Sequence, residues 1–252
     1  MRTAGDWVGR WLLPIRLAPK LPPSPPGDLS WWGFQRTHLV DAMRYYAALL
    51  LPALILGCAT QNPAPNGWID LFDGESLAGW TASENASTFS VQDGAIVAQG
   101  DRSHLFYTGP VEDHDFTNFE LMVEVMTRPG SNSGIYFHTE YQDEGWPAKG
   151  YEAQINNTSG DTRKTGSLYA IEDVAEPPVN DDAWFTYHIV VQGNRITVAL
   201  DGETVVDYTE PEGVDRPDDM SGRRLSSGTF ALQGHDPEST VYFRNIRVKP
   251  LP

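Results

Sequence analysis

Glu152, Gln154 and Asn156 alternate with Tyr151, Ala153 and Ile155 in the segment GYEAQIN, residues 150–156. In an extended chain successive side chains point to opposite faces. The apolar three then face a core, and a carboxylate and two amides share the other side. The same sorting applies to NSGIYFH, where Ile135 and Phe137 leave Gly134, Tyr136 and His138 opposite. In GTFALQGH, Phe230 and Leu232 leave Ala231, Gln233 and His235. If the three strands are neighbours, these faces merge into one floor of titratable and amide groups. Amides offer donors and acceptors together, which suits a ligand rich in hydroxyls. The chemistry expected of such a floor is sugar binding. The alternative is that each polar face is simply exposed to solvent.

The elements that position these residues are strands. No segment after residue 58 sustains a 3.6-residue period over three turns, whereas period-two runs recur throughout. TFSVQDGAIVAQG and RITVALDGETVVDY each read as two strands around an Asp-Gly turn, at Asp93-Gly94 and Asp201-Gly202. FTNFELMVEVMT places Phe119, Leu121, Val123 and Val125 on one face, and AWFTYHIVVQG and TVYFRNIRVKP supply two more strands. The expected fold is all-β, an antiparallel two-sheet jelly-roll sandwich.

Residues 43–57 read as a secretory signal. Met43-Arg44 leads the twelve-residue run YYAALLLPALIL, residues 45–56, too short for the ~20 residues of a membrane-spanning helix. ILGC places the chain's single cysteine, Cys58, where a bacterial lipoprotein is cut and acylated. The expectation is a membrane-anchored protein facing the periplasm or the cell surface. One cysteine also excludes an intramolecular disulfide framework. Residues 1–42 show neither period and are expected to be an unfolded extension, with Met43 as the true start. Residues 58–66 form a Pro- and Asn-rich tether, and residues 67–252 the sandwich domain.

From Cys58 onward the chain holds 31 Asp and Glu against 12 Lys and Arg, a net of −19. Such a surface excludes nucleic acid as a partner and leaves the lipid as the only membrane contact. No cofactor is expected. A divalent metal stays open, but no His-x-His or Glu-x-x-His spacing supports one. His104 and His114 are expected in or beside loops, and His188 as a structural or exposed residue. Arg244 and Asn245 read as a bulge or sandwich-edge feature.

Six motifs then fall in order: GWIDLFDGESLAGW, NSGIYF, GYEAQI, TGSLY, LQGH and VYFRNIRVKPL, spanning residues 67–251. Together they resemble the 3-keto-disaccharide hydrolase domain family. The resemblance implies a concanavalin A-like sandwich that cleaves glycosides already oxidised at the sugar's 3-position. The ketone acidifies the hydrogen on C2; its removal gives an enolate that expels the aglycone from C1, and water adds back. The route needs an acid–base group and donors for the enolate oxygen, and not the paired carboxylates of ordinary glycosidases. It also implies coupling to a sugar 3-dehydrogenase. On this reading Glu152 or His235 moves the proton and the other orients it. Asn132, Gln154 and Gln233 bind hydroxyls or the 3-oxo group. Tyr136 and Tyr169 stack or donate, and Trp146 stacks at the rim. His138 is also placed with the substrate, although relatives commonly carry Arg there, and Asn156 stands where Asp is common. A lectin-like binding module remains the alternative. So does a laminarinase-type glycosidase whose second carboxylate comes from another strand.

Overall fold

The computed structural model describes residues 66–252. The signal segment, Cys58, the extension 1–42 and all but the last residue of the tether lie outside the described residues.

Thirteen strands follow in chain order. The first five are β1 (Ile69–Asp70), β2 (Trp80–Ala82), β3 (Phe89–Gln92), β4 (Ala95–Ala98) and β5 (Ser103–Tyr107). Then come β6 (Phe119–Thr127), β7 (Ser133–Thr139), β8 (Tyr151–Ile155) and β9 (Phe185–Gln192). The last four are β10 (Arg195–Leu200), β11 (Glu203–Thr209), β12 (Thr229–Gly234) and β13 (Val241–Pro250). They form two antiparallel sheets. The larger runs β11-β10-β9-β6-β13-β4-β3, with β1 added on β13. The smaller runs β2-β5-β12-β7-β8. This is the expected all-β, two-sheet sandwich.

Local sequence explains the joints. Asp93 and Asp201 adopt left-handed φ of 49° in their Asp-Gly turns, as the tight hairpins β3–β4 and β10–β11 require. Arg244 and Asn245 sit at a register shift of β13 against β6, both held by Glu124, so the expected bulge is present. Phe119, Leu121, Val123 and Val125 of β6 face the smaller sheet's Leu232, Phe230, Ile135, Phe137 and Ala153 in one core. Burying each such side chain contributes roughly 1.5–3 kcal/mol before ordering costs are counted.

The two sheets differ in what covers their outer faces. Strands β6 and β9 alternate buried and half-exposed residues, as one-sided strands do. Strands β5, β7, β8 and β12 are buried at every position. Three loops cover the outer face of the smaller sheet: 140–150, 156–173 and 211–228. Solvent exposure therefore does not explain its polar residues.

Candidate functional site

The expected neighbours are neighbours. Strand β7 pairs with β8 on one side and β12 on the other. Tyr136 lies opposite both Glu152 and Ala231, Gly134 opposite Gln154, and Gln233 opposite His104 of β5. The polar faces thus merge into the floor of a pocket of about 330 Å³. Asn132, Tyr136, Glu152, Gln154, Gln233 and His235 form the floor, with Trp146 and Tyr169 on the walls. Eight of the nine catalytic and substrate-binding residues expected from sequence line this one space.

Glu152 is 4% exposed. Its Oε1 accepts from Gln233 Nε2 at 2.9 Å, and Oε2 pairs with Arg223 Nη2 at 3.4 Å. Burial pushes its carboxyl above the ordinary range, and Arg223, Tyr136 and Gln233 only partly restrain the rise. The same amide of Gln233 also donates to the Tyr136 hydroxyl at 3.1 Å. Burial first, then the Glu152 charge, hold Tyr136 as a neutral phenol. A side chain at Gly134 would place its Cβ 2.5 Å from Glu152 Oε1, so the glycine is the space that carboxylate occupies. Gly134→Ala is expected to displace Glu152 and lower turnover at least tenfold. The thermal midpoint should change little, because only one flexible side chain has to shift. Turnover equal to that of the parent would mean that Glu152's position does not matter.

A second chain of donors runs along the floor. Gln154 Nε2 donates to Asn132 Oδ1 at 3.0 Å, and Asn132 Nδ2 donates to His235 Nε2 at 3.3 Å. The imidazole must therefore carry its proton on Nδ1, which donates to Asp236 Oδ2 at 2.6 Å. Asp236 is in turn fixed by the Glu238 and Ser239 amides on Oδ1 and by the Ser239 hydroxyl on Oδ2. Partial burial would raise the Asp236 carboxyl, but His235 and these donors outweigh it and hold it below the usual carboxylate range. The result is a histidine whose Nε2 faces Asn132 and the pocket, with an anion behind its Nδ1.

His138 is the expected site residue that the structure places elsewhere. Thr229 pairs with Thr139 and Phe230 with Phe137, so His138 is the extra residue of a bulge, with φ of 54°. The bulge breaks the period of two and turns the ring away from the floor. Its Nε2 donates to the Thr117 carbonyl at 2.9 Å, and its Nδ1 accepts from the Ser226 amide. Asn156 also leaves the floor. Its amide donates to the Asp161 and Arg163 carbonyls and holds the loop after β8.

His104 belongs to β5 and not to a loop. It is fully buried against Tyr136 and Trp146, and neither ring nitrogen has a partner. Burial pulls its pKa down to about 3. An unfolded histidine takes its proton near 6.5. The unfolded chain therefore binds more protons between these values, and stability falls as pH drops below about 6.5. At pH 5 the loss is roughly 2 kcal/mol. Urea midpoints at pH 7 and pH 5 should converge in His104→Leu; an unchanged gap would place the acid sensitivity elsewhere. His188, as expected, is structural, bound to Glu120 on the outside of the larger sheet.

Sequence reasoning missed Arg223, the one Lys or Arg lining the pocket. It sits in the loop before β12, with its guanidinium carbon 5.3 Å from the Tyr136 ring centroid. The Gly150 amide donates to the Gly222 carbonyl at 2.9 Å and brings that loop down. A side chain at Gly222 would run into the Ala148 carbonyl. The same loop adds Asp219 and Met220, and Asp161 comes from the loop after β8. The only sequence signals were the chain's single Arg-Arg pair, Arg223-Arg224, and the adjacency of His235 and Asp236. Among the described residues no three His, Cys, Asp or Glu side chains gather as a metal site would.

Residues 67–249 match the 3-keto-alpha-glucoside-1,2-lyase-like domain. A relative named 3-keto-disaccharide hydrolase, from Bacteroides thetaiotaomicron, is 26% identical over 235 residues, covering 74% of this chain and 79% of its own. Two solved Parabacteroides distasonis proteins, both provisionally described as glycosyl hydrolases, are similar in structure. One has a TM-score of 0.63 at 21% identity, covering 74% of this chain and 95% of its own. The other has a TM-score of 0.57 at 25% identity, covering 73% of this chain and 99% of its own. The fold is the concanavalin A-like sandwich that the motifs implied.

Proposed function

Because this chain belongs to the 3-keto-alpha-glucoside-1,2-lyase-like domain family, we propose that its pocket cleaves 3-keto-glycosides by elimination and hydration. The observation that carries the reading is the convergence of three groups on one polar pocket: buried Glu152, the Asp236-backed His235, and Arg223. His235 Nε2 takes the C2 proton. Electrons move to the C3 oxygen, where Arg223 and the amides of the floor meet the growing negative charge. As the enolate collapses, the C1–O bond breaks, and the aglycone oxygen takes a proton from Glu152, whose raised pKa suits that donation. Water then adds at C1, giving its proton to Glu152, and the proton on His235 returns to C2. Protons and electrons balance with no cofactor. Trp146 and Tyr169 flank the sugar.

Asp161 and Asp219 also line the pocket and are the second carboxylates an ordinary glycosidase would need. One experiment separates the readings. The purified protein is incubated with a chromogenic glucoside and with its 3-keto derivative, each with and without a chelator. Release from the keto sugar alone supports elimination, and the chelator arm decides whether a metal assists. Release from the plain glucoside overturns it in favour of paired carboxylates. No release from either leaves a binding module.

The anchor belongs to the same proposal and rests on ILGC alone. Cys58→Ser should move the protein from the membrane fraction to the soluble one; an unchanged distribution would remove the lipid from the account. An oxidised substrate at a cell surface also requires a sugar 3-dehydrogenase upstream.

A further inference from the structure

Among the described residues two large hydrophobic side chains stand exposed: Trp146 at 45% and Tyr141 at 44%. Both belong to the loop between β7 and β8. Trp146 stands on the pocket already described. Tyr141 stands on another, a cavity of about 340 Å³ at the opposite end of β7 and β12. The two rings are mounted alike. Trp146 meets His104 edge-on at 5.5 Å between centroids, and Tyr141 meets Phe106 edge-on at 5.4 Å. His104 and Phe106 are two residues apart on β5 and share a face. Each exposed ring is thus braced by a buried one and keeps surface free for a ligand.

The polar lining is as telling. Thr139 is a residue of the cavity wall, 1% exposed, and its buried hydroxyl has no partner. A buried hydroxyl left unpaired is costly and rarely tolerated. Asp113, in the wall, belongs to a run in which Glu112, Asp113 and His114 have φ of 48°, 50° and 50°. Three successive non-glycine residues in the left-handed region are strained, and such strain gathers at ligand sites. Glu140 and Lys149 pair at 3.4 Å on the rim.

We infer that this cavity is a second carbohydrate site, which seats a neutral sugar unit against Tyr141 with its hydroxyls on Thr139, Asp113, Glu140 and Lys149. A braced aromatic ring takes the apolar face of a pyranose, and mixed acceptors and donors take its edge. The excess of carboxylates disfavours acidic sugars. The inference is independent of the reaction in the first pocket.

The test is an array of neutral gluco-, galacto- and manno-oligosaccharides, probed with the wild-type protein, Tyr141→Ala and Trp146→Ala. At least one sugar should bind the wild type at least tenfold more tightly than it binds Tyr141→Ala. Thr139→Val, which keeps shape and removes the hydroxyl, should weaken the same sugar. Turnover of the small 3-keto chromogenic glucoside should stay within twofold in Tyr141→Ala. If the first pocket turns nothing over, the binding arm still decides. No Tyr141-dependent sugar on the array, or equal losses from Tyr141→Ala and Trp146→Ala for every sugar, overturns the inference.

Discussion

Glu152→Gln is expected to lower turnover of a 3-keto-glycoside by about three orders of magnitude, with binding of the unreacted sugar changed only several-fold. Glutamine keeps the length of the side chain, and its oxygen can still accept from Gln233. It cannot give a proton to the departing oxygen or take one from water. The remaining contact, with Arg223 Nη2, is lost because the new amide nitrogen cannot accept from it, and the guanidinium stays over Tyr136. Calorimetry with an unoxidised sugar and single-turnover kinetics with the keto sugar separate the two quantities. A variant within tenfold of wild type would reduce Glu152 to a structural residue and move acid catalysis to Asp161 or Asp219.

The second large effect is at a residue that need not touch the sugar. Asp236 Oδ1 accepts two backbone amides, from Glu238 and Ser239. In Asp236→Asn those amides will keep the side-chain oxygen on their side. The new amide nitrogen then faces His235 Nδ1 and can only donate to it. The imidazole is driven to the other tautomer, with its proton on Nε2 and no lone pair toward the pocket. A loss of about 10² to 10⁴ in turnover follows, the range a misplaced general base costs. Nitrogen NMR of His235 should report the exchanged tautomer directly. His235→Asn should cost as much as the double variant, since the two residues act as a unit. An unchanged tautomer with lost activity would point to distortion of the 235–239 turn and not to the base. Additive losses would show two separate roles.

Much of this site can be read from the order of residues, and the reason is geometric. Between irregularities a strand's period of two has no slack, so Tyr136, Glu152, Gln154 and Gln233 could be assigned to one face without a structure. The same rule failed two residues after Tyr136. His138 occupies a bulge, and nothing in IYFHT announces a histidine that will accept a left-handed backbone. His104, expected in or beside a loop, is the second residue of β5, and the period-two pattern of SHLFY marks the strand it joins. Arg223 is a different case, because its position depends on how a long loop folds back over Gly150. Long-range placement of that kind leaves no local periodicity to read.

The two-sided burial of the smaller sheet has a consequence for how such a protein can change. Residues on β7, β8 and β12 alternate between core and floor, so a substitution there disturbs packing, reactivity or both. Trp146, Asp161, Asp219 and Arg223 hang from loops that contribute far less to the core. New sugars can therefore be explored by altering the lip while the reactive floor and Arg223 are inherited intact, and a library aimed at altered preference should be built in residues 140–149, 157–173 and 211–222.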